Sequence, residues 1–173
     1  MPISVLVTWA TRYGSTREVA EAVAEVLREN GLAVEARPLQ NVDRLDDFDA
    51  IVLGCAIYVS RIHRDARRFL SANRDTLSRK PVALFVLGPV HNDEKQWSSA
   101  RGQVSKELGR FPWFHPVAQA IFGGRWDPAT VGFPFRFLPA LKSMPVSDAR
   151  DWDGIRAWAG TLVEAFKPAH PML

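Results

Sequence analysis

Cysteine is almost missing: Cys55 is the only one in 173 residues, which excludes an intrachain disulfide and fits a reducing compartment. No uninterrupted apolar run approaches the roughly 20 residues that a membrane-spanning helix needs, so any membrane contact is expected to be peripheral. No basic start leads into an apolar stretch and a cleavage site. Residues 2–9 read as a short strand instead, and a cytoplasmic chain starting at residue 1 or 2 is expected. Linkers, low-complexity tracts and repeats are also lacking, which predicts one domain over residues 1–167 and a short tail at 168–173 containing Pro168, His170 and Pro171. The nucleotide signatures are absent too. No Gly-Lys-Ser/Thr follows the first strand, no Gly-x-Gly-x-x-Gly turn occurs, and Trp9-Ala10 and Cys55-Ala56 stand where a phosphoacceptor receiver needs its acids. His115 and His170 lack companions at metal-ligand spacing, so no metal is expected, and nucleic acid is not an expected partner.

What the chain does have is alternation. Residues 3–8, 32–39, 49–54, 82–87 and 117–122 read as five short strands, the third and fourth apolar throughout, as strands covered on both faces are. Between them, Val19, Val23, Val26 and Leu27 recur at helical spacing up to Gly31, with Ser15 and Glu18 at capping-box spacing. A basic amphipathic helix is predicted over 64–77 and another helix over 93–108. A last one over 151–166 would be capped by Asp148 or Asp151. Strands alternating with helices predict an α/β doubly wound five-stranded parallel sheet, order 2-1-3-4-5, with helices on both faces. Ligands of such sheets bind beyond the carboxyl ends of the strands, at the switch point between strands 1 and 3.

The net charge is +3, unevenly spread: residues 1–60 sum to −4, residues 61–80 to +5 and residues 101–142 to +4. The basic segments either face an anionic partner or form a solvated helix surface. After the first strand come Thr11, Arg12, Tyr13, Gly14, Ser15 and Thr16. Three hydroxyls, the free amides of a helix start, one guanidinium and no acid suit a phosphate dianion; a plain helix cap is the alternative. After the third strand stand Ala56, Ile57 and Tyr58; after the fourth, Gly88, Pro89, Val90 and His91, with Trp97 as a candidate pocket wall. His91 is the one nearby group that exchanges a proton near neutrality, which makes it the sole catalytic candidate, unless it is a solvated loop residue. Cys55 reads as a packed thiol without chemistry.

The run from Thr11 to Thr16, followed by Arg17-Glu18-Val19-Ala20, resembles the phosphate loop of flavodoxins. Thr11-Arg12-x-Gly14-x-Thr16, Gly54-Cys55-Ala56-Ile57, and His63 leading to Arg68-Phe69 are similar to the flavodoxin-like, menaquinone-dependent protoporphyrinogen oxidases of bacteria. The likeness is strong over residues 3–30 and 49–70. It implies an FMN cofactor and an oxidoreductase passing electrons from a tetrapyrrole precursor to a quinone. A one-electron carrier and a flavodoxin-like quinone reductase are the alternatives. Carriers of this type are strongly acidic, unlike this chain. The resemblance makes Tyr58 a candidate to stack on the flavin, worth roughly 0.5–1.5 kcal/mol beyond area burial, although the oxidase register puts Val59 at the aromatic position. Residues 124–147 exceed the loop that a minimal flavodoxin needs. Trp126, Phe133, Phe135, Phe137, Leu138 and Leu141 with Arg125, Arg136 and Lys142 suit either a docking element for anionic lipid or a large anionic ring, or a short helix packed on the sheet edge.

Overall fold

The apolar runs alternate two sets of side chains, and each set needs its own cover. In the computed structural model, which describes residues 1–58, 60–133 and 135–168, the runs form β1 (Ser4–Trp9), β2 (Ala33–Pro38), β3 (Ala50–Tyr58), a two-residue β4 (Arg61–Ile62), β5 (Val82–Leu87) and β6 (Ala118–Phe122). The helices are α1 (Ser15–Glu29), α2 (Arg64–Ala72), α3 (Arg74–Leu77), α4 (Glu94–Leu108), α5 (Pro139–Lys142) and α6 (Trp152–Ala165). The long strands are parallel in the order β2-β1-β3-β5-β6, which is 2-1-3-4-5 once β4 is set aside. Val5, Val7, Trp9, Val52 and Phe85 meet Val19, Val23 and Leu27 of α1 and Ile155 and Leu162 of α6 in one core. Leu6, Ile51, Leu53, Leu84 and Val86 meet Leu70 of α2 and Val104 of α4, with Phe111 and Phe114, in the other. Two covered faces are what make the central strands continuously apolar.

Three local expectations are corrected. The helix predicted over 64–77 breaks at Asn73, whose side-chain amide donates to the Phe69 carbonyl at 2.9 Å and so competes with the helical ladder. The third strand continues four residues past Gly54, because β4 folds back antiparallel on its end and pairs Ile57 with Ile62 and Tyr58 with Arg61. The Ser15–Glu18 capping box does not form: Gly14 takes the cap position, Ser15 is already helical, and Glu18 turns to arginines of another segment. The caps of α4 and α6 are conventional, with Asp93 accepting from the Lys95 N–H at 3.0 Å and Asp151 from the Gly154 N–H at 3.1 Å.

The excursion expected at 124–147 is tied at its base by an antiparallel ribbon of β7 (Arg125–Trp126) and β8 (Ser147–Asp148). Beyond the ribbon lie two 3-10 turns and α5. Val131 is buried, but Phe133 is 80% exposed, Phe137 58% and Leu138 48%. These three side chains are therefore not sheet-edge packing; those of Phe135 and of residues 169–173, including His170, lie outside the described residues.

Candidate functional site

The carboxyl ends of β1, β3, β5 and β6 converge on one cavity. Residues 11–14 must turn sharply from β1 into α1, and Gly14 makes the turn at φ 88°, a left-handed conformation that a Cβ would strain even though nothing stands within 4 Å of that position. The Thr11 hydroxyl accepts from the Gly14 N–H at 2.9 Å and fixes the loop. The Arg12 N–H donates to the Tyr58 hydroxyl at 3.2 Å, so the loop is also pinned from β3. At the start of α1, Thr16 is fully buried and its Oγ1 has no hydrogen-bond partner. A buried unpaired hydroxyl costs about 1–3 kcal/mol, and here it sits beside the unpaired N–H groups of a helix start. That set of donors fits a phosphate.

Tyr58 lies at the centre of this end of the sheet. Its ring meets those of Tyr13 and His63 edge-on, each at 5.8 Å between centroids. Burial pushes its phenol above the ordinary range, against hydrogen bonds from the Arg12 backbone and with the Thr11 side chain, so it stays neutral and polar at neutral pH. A cavity of about 150 Å³ is lined by Tyr13, Ser15, Ala56, Ile57, Tyr58 and Val90, with Leu87, Gly88, Gly124, Arg125 and Trp126 completing it. A second cavity of about 470 Å³ shares Ile57, Gly88 and Val90 with the first, and adds Pro89, Ser60 and the α4 side chains Lys95, Gln96, Ser99 and Gln103. Small-ligand sites span roughly 300–1,000 Å³. The first cavity alone is below that range, and the two joined fall within it.

Among the described residues, the only charged side chains lining these joined cavities are Arg125 and Lys95. Arg125 was legible only as part of an insertion. It stands in the cavity wall because β7 follows β6 directly, and it is held by Asp127 at 3.2 Å and Glu18 at 3.7 Å. Trp126, rather than Trp97, supplies the indole wall. Trp97 heads the α4 stripe of Arg101, Ser105 and Leu108, which faces a separate groove over β6, whereas the neighbouring stripe of Gln96, Ser99 and Gln103 faces the site. A single residue's rotation about the helix axis, about 100°, separates the two stripes. His91 is exposed and lines neither cavity. Burial pushes the Cys55 thiol up to about 12, which makes it unreactive at neutral pH. His63 accepts from the Asp65 N–H through Nδ1 at 3.2 Å and caps α2. Burial holds its proton affinity low, and of the nearby charges Asp65 raises it while Arg12, Arg64 and Arg67 lower it. No cluster of three or more metal-ligating side chains occurs among the described residues.

A flavodoxin domain profile matches residues 6–138. The chain belongs to the flavodoxin domain family. Its cofactor is accordingly FMN, a fit already apparent in the unpaired Thr16 hydroxyl and the acid-free loop of residues 11–16, and its role is flavin-based redox chemistry. This flavodoxin-family chain is 24% identical over 125 residues to protoporphyrinogen IX dehydrogenase (quinone) of Escherichia coli, covering 70% of this chain and 68% of that protein. Among solved structures, a flavodoxin from the domain Archaea has a TM-score of 0.61 at 13% identity, with 96% of this chain and all of that one covered (100%). A cysteine-to-serine variant of the Pseudomonas aeruginosa flavodoxin gives 0.61 at 17% identity over the same shares of 96% and 100%. The rubredoxin oxygen:oxidoreductase of Desulfovibrio gigas gives 0.58 at 16% identity, where 96% of this chain spans 37% of that one. No helix among the described residues is long and apolar enough to cross a membrane.

Proposed function

We propose that this flavodoxin-family chain is an FMN-dependent oxidoreductase acting on an anionic tetrapyrrole precursor, of the protoporphyrinogen-dehydrogenase type, and delivering electrons to a quinone. The observation that carries this reading is the lining of the joined cavities, which among the described residues includes no carboxylate and holds Lys95, whereas Arg125 in the wall is balanced by Asp127 and Glu18 outside it. A diffusing carrier that docks on basic partners needs the opposite sign around its flavin. The resemblance to the Escherichia coli enzyme adds the substrate class. Thr11, Arg12, Gly14, Ser15 and Thr16 would hold the FMN phosphate. Tyr13, Ala56, Ile57, Tyr58, Gly88, Pro89, Val90, Arg125 and Trp126 would line the rest of the cofactor site. When bound, FMN supplies the redox chemistry, and the protein supplies orientation and positive potential.

The insertion adds a docking reading. Between residues 128 and 147 the chain carries Arg136 and Lys142 and no acid, beside the exposed Phe133, Phe137 and Leu138. Exposed aromatics with cations suit the face of an anionic bilayer, where quinones dissolve. The function is tested by turnover of porphyrinogen and menaquinone analogues against electron exchange with a small redox protein at low salt. Fast exchange with the protein and no turnover of the small molecules would assign the carrier role instead. Replacing Phe133, Phe137 and Arg136 together should abolish liposome sedimentation while flavin content and melting point hold; a collapse in stability would make the insertion structural.

A further inference from the structure

The two basic segments, separate in sequence, meet in space. A groove of about 710 Å³ is lined by Arg64, Arg67, Arg68, Ser71 and Ala72 of α2 and by Arg110 and Phe111, which follow α4. Arg64, Arg67 and Arg68 stand at i, i+3 and i+4, so they occupy one face of the helix. Among the described residues, none of these three forms an ion pair or a side-chain hydrogen bond, and Arg67 Nε is buried without a partner. The nearby acids do not pair with these three: Glu107 pairs with Arg110 of the same groove at 3.1 Å, and Asp65, 3.9 Å from His63 Nδ1, forms no ion pair with Arg64, Arg67 or Arg68. Three guanidiniums therefore repel one another in the free protein. Their field reaches His63, whose proton affinity Arg64 and Arg67 both lower.

We propose that this groove binds a small ligand carrying two or more phosphate groups. Phosphate oxygens accept the paired N–H donors of a guanidinium fork, Ser71 adds a hydroxyl, and a multiply charged anion relieves the repulsion among the arginines. The volume lies in the small-ligand range of roughly 300–1,000 Å³. The groove shares no lining residue with the joined cavities, so this site is independent of the FMN site and of the function proposed above. The same phosphate chemistry is offered by a soluble polyphosphate and by the headgroups of anionic lipid.

The test is calorimetric titration of the FMN-loaded full chain with inorganic pyrophosphate at low salt, with flotation on phosphatidylcholine vesicles containing cardiolipin, an anionic lipid with two phosphates, as a second arm. Saturable one-site binding is expected. It should weaken at least about tenfold in Arg64→Gln/Arg68→Gln, the worth of a lost charge-assisted hydrogen bond, and less in Arg64→Lys/Arg68→Lys, which keeps the charge and loses the fork. Arg64 and Arg68 are exposed, so these variants keep the core. Pyrophosphate should bind without displacing FMN, read as unchanged flavin fluorescence, which separates this groove from the loop of residues 11–16. Vesicle binding lost in the glutamine variant and blocked by pyrophosphate supports the site with lipid as the source. Pyrophosphate binding without vesicle binding supports it with a soluble ligand. Wild-type protein that takes up neither, or a glutamine variant that binds pyrophosphate as tightly as wild type, overturns it.

Discussion

Replacing Thr16 with valine should move stability and cofactor affinity in opposite directions. Thr16 is fully buried in the first turn of α1, and its Oγ1 has no partner within the protein. Valine keeps the branched shape, so the change removes a hydroxyl and little else. Because a buried unpaired polar group costs about 1–3 kcal/mol, the FMN-free protein should gain on the order of 1 kcal/mol. With FMN bound the same hydroxyl would donate to a phosphate oxygen, and a hydrogen bond to a charged group is worth roughly 1.5–3 kcal/mol, so FMN affinity should fall roughly ten- to hundredfold. Riboflavin, which lacks the phosphate, should bind equally to both proteins. Thr8 supplies the control: it too is buried with an unpaired Oγ1, but it alternates with Val7 and Trp9 and so points away from α1. Thr8→Val should stabilise the protein and leave FMN binding alone. Urea unfolding of the FMN-free proteins gives the first quantity, and quenching of flavin fluorescence the second. Thr16→Val that is less stable than wild type, or that loses FMN and riboflavin in equal measure, would refute the assignment of this hydroxyl to the phosphate.

A Cβ on Gly54 would lie 2.2 Å from the ring of the fully buried Phe85. Gly54→Ala should therefore cost about 1–3 kcal/mol in urea unfolding, with part of the loss recovered by Phe85→Leu. His63 caps α2 in its neutral form, and burial holds its proton affinity down, so the unfolded chain takes up the proton first. The stability it contributes should be complete above about pH 6.5 and be lost as pH falls through the lower folded value, a difference that His63→Asn should erase in melting curves across that range. The side chain of Arg150, only 4% exposed, joins Asp148 of β8 at 2.7 Å to Glu18 of α1 and covers the Trp152 ring at 4.8 Å. Both carboxylates are well exposed, so Arg150→Met should cost only about 1 kcal/mol in melting experiments. Its clearer effect should be faster proteolysis of the segment between the ribbon strands, and an unchanged cleavage rate would mean that the ion pairs do not hold the insertion.

The features that were legible in the sequence are those whose cause is local. Apolar runs covered on two faces identify the five long strands, helical spacing identifies α1 and α6, and the order of the sheet follows from their alternation. The turn from Thr11 to Thr16 is legible for the same reason: it is contiguous, and Gly14 and the Thr11 hydroxyl shape it locally. Tyr58 is legible beside the end of the third strand, which runs on to include it, but its bond to the Arg12 N–H joins residues 46 positions apart, which no short pattern encodes.

Where expectation and structure part, a distant residue has usually taken over a local one. Ser15 and Glu18 have the spacing of a capping box, worth about 1 kcal/mol when it forms. Arg150, 132 positions away, claims Glu18 instead, and Arg125 approaches the same carboxylate at 3.7 Å. That exchange links the first turn of α1, which carries Thr16, to the ribbon at the base of the insertion, which carries Trp126 into the cavity wall. By giving up the local cap, the chain joins the first turn of α1 to the cavity wall at Arg125 and to the base of the insertion at Asp148 and Arg150.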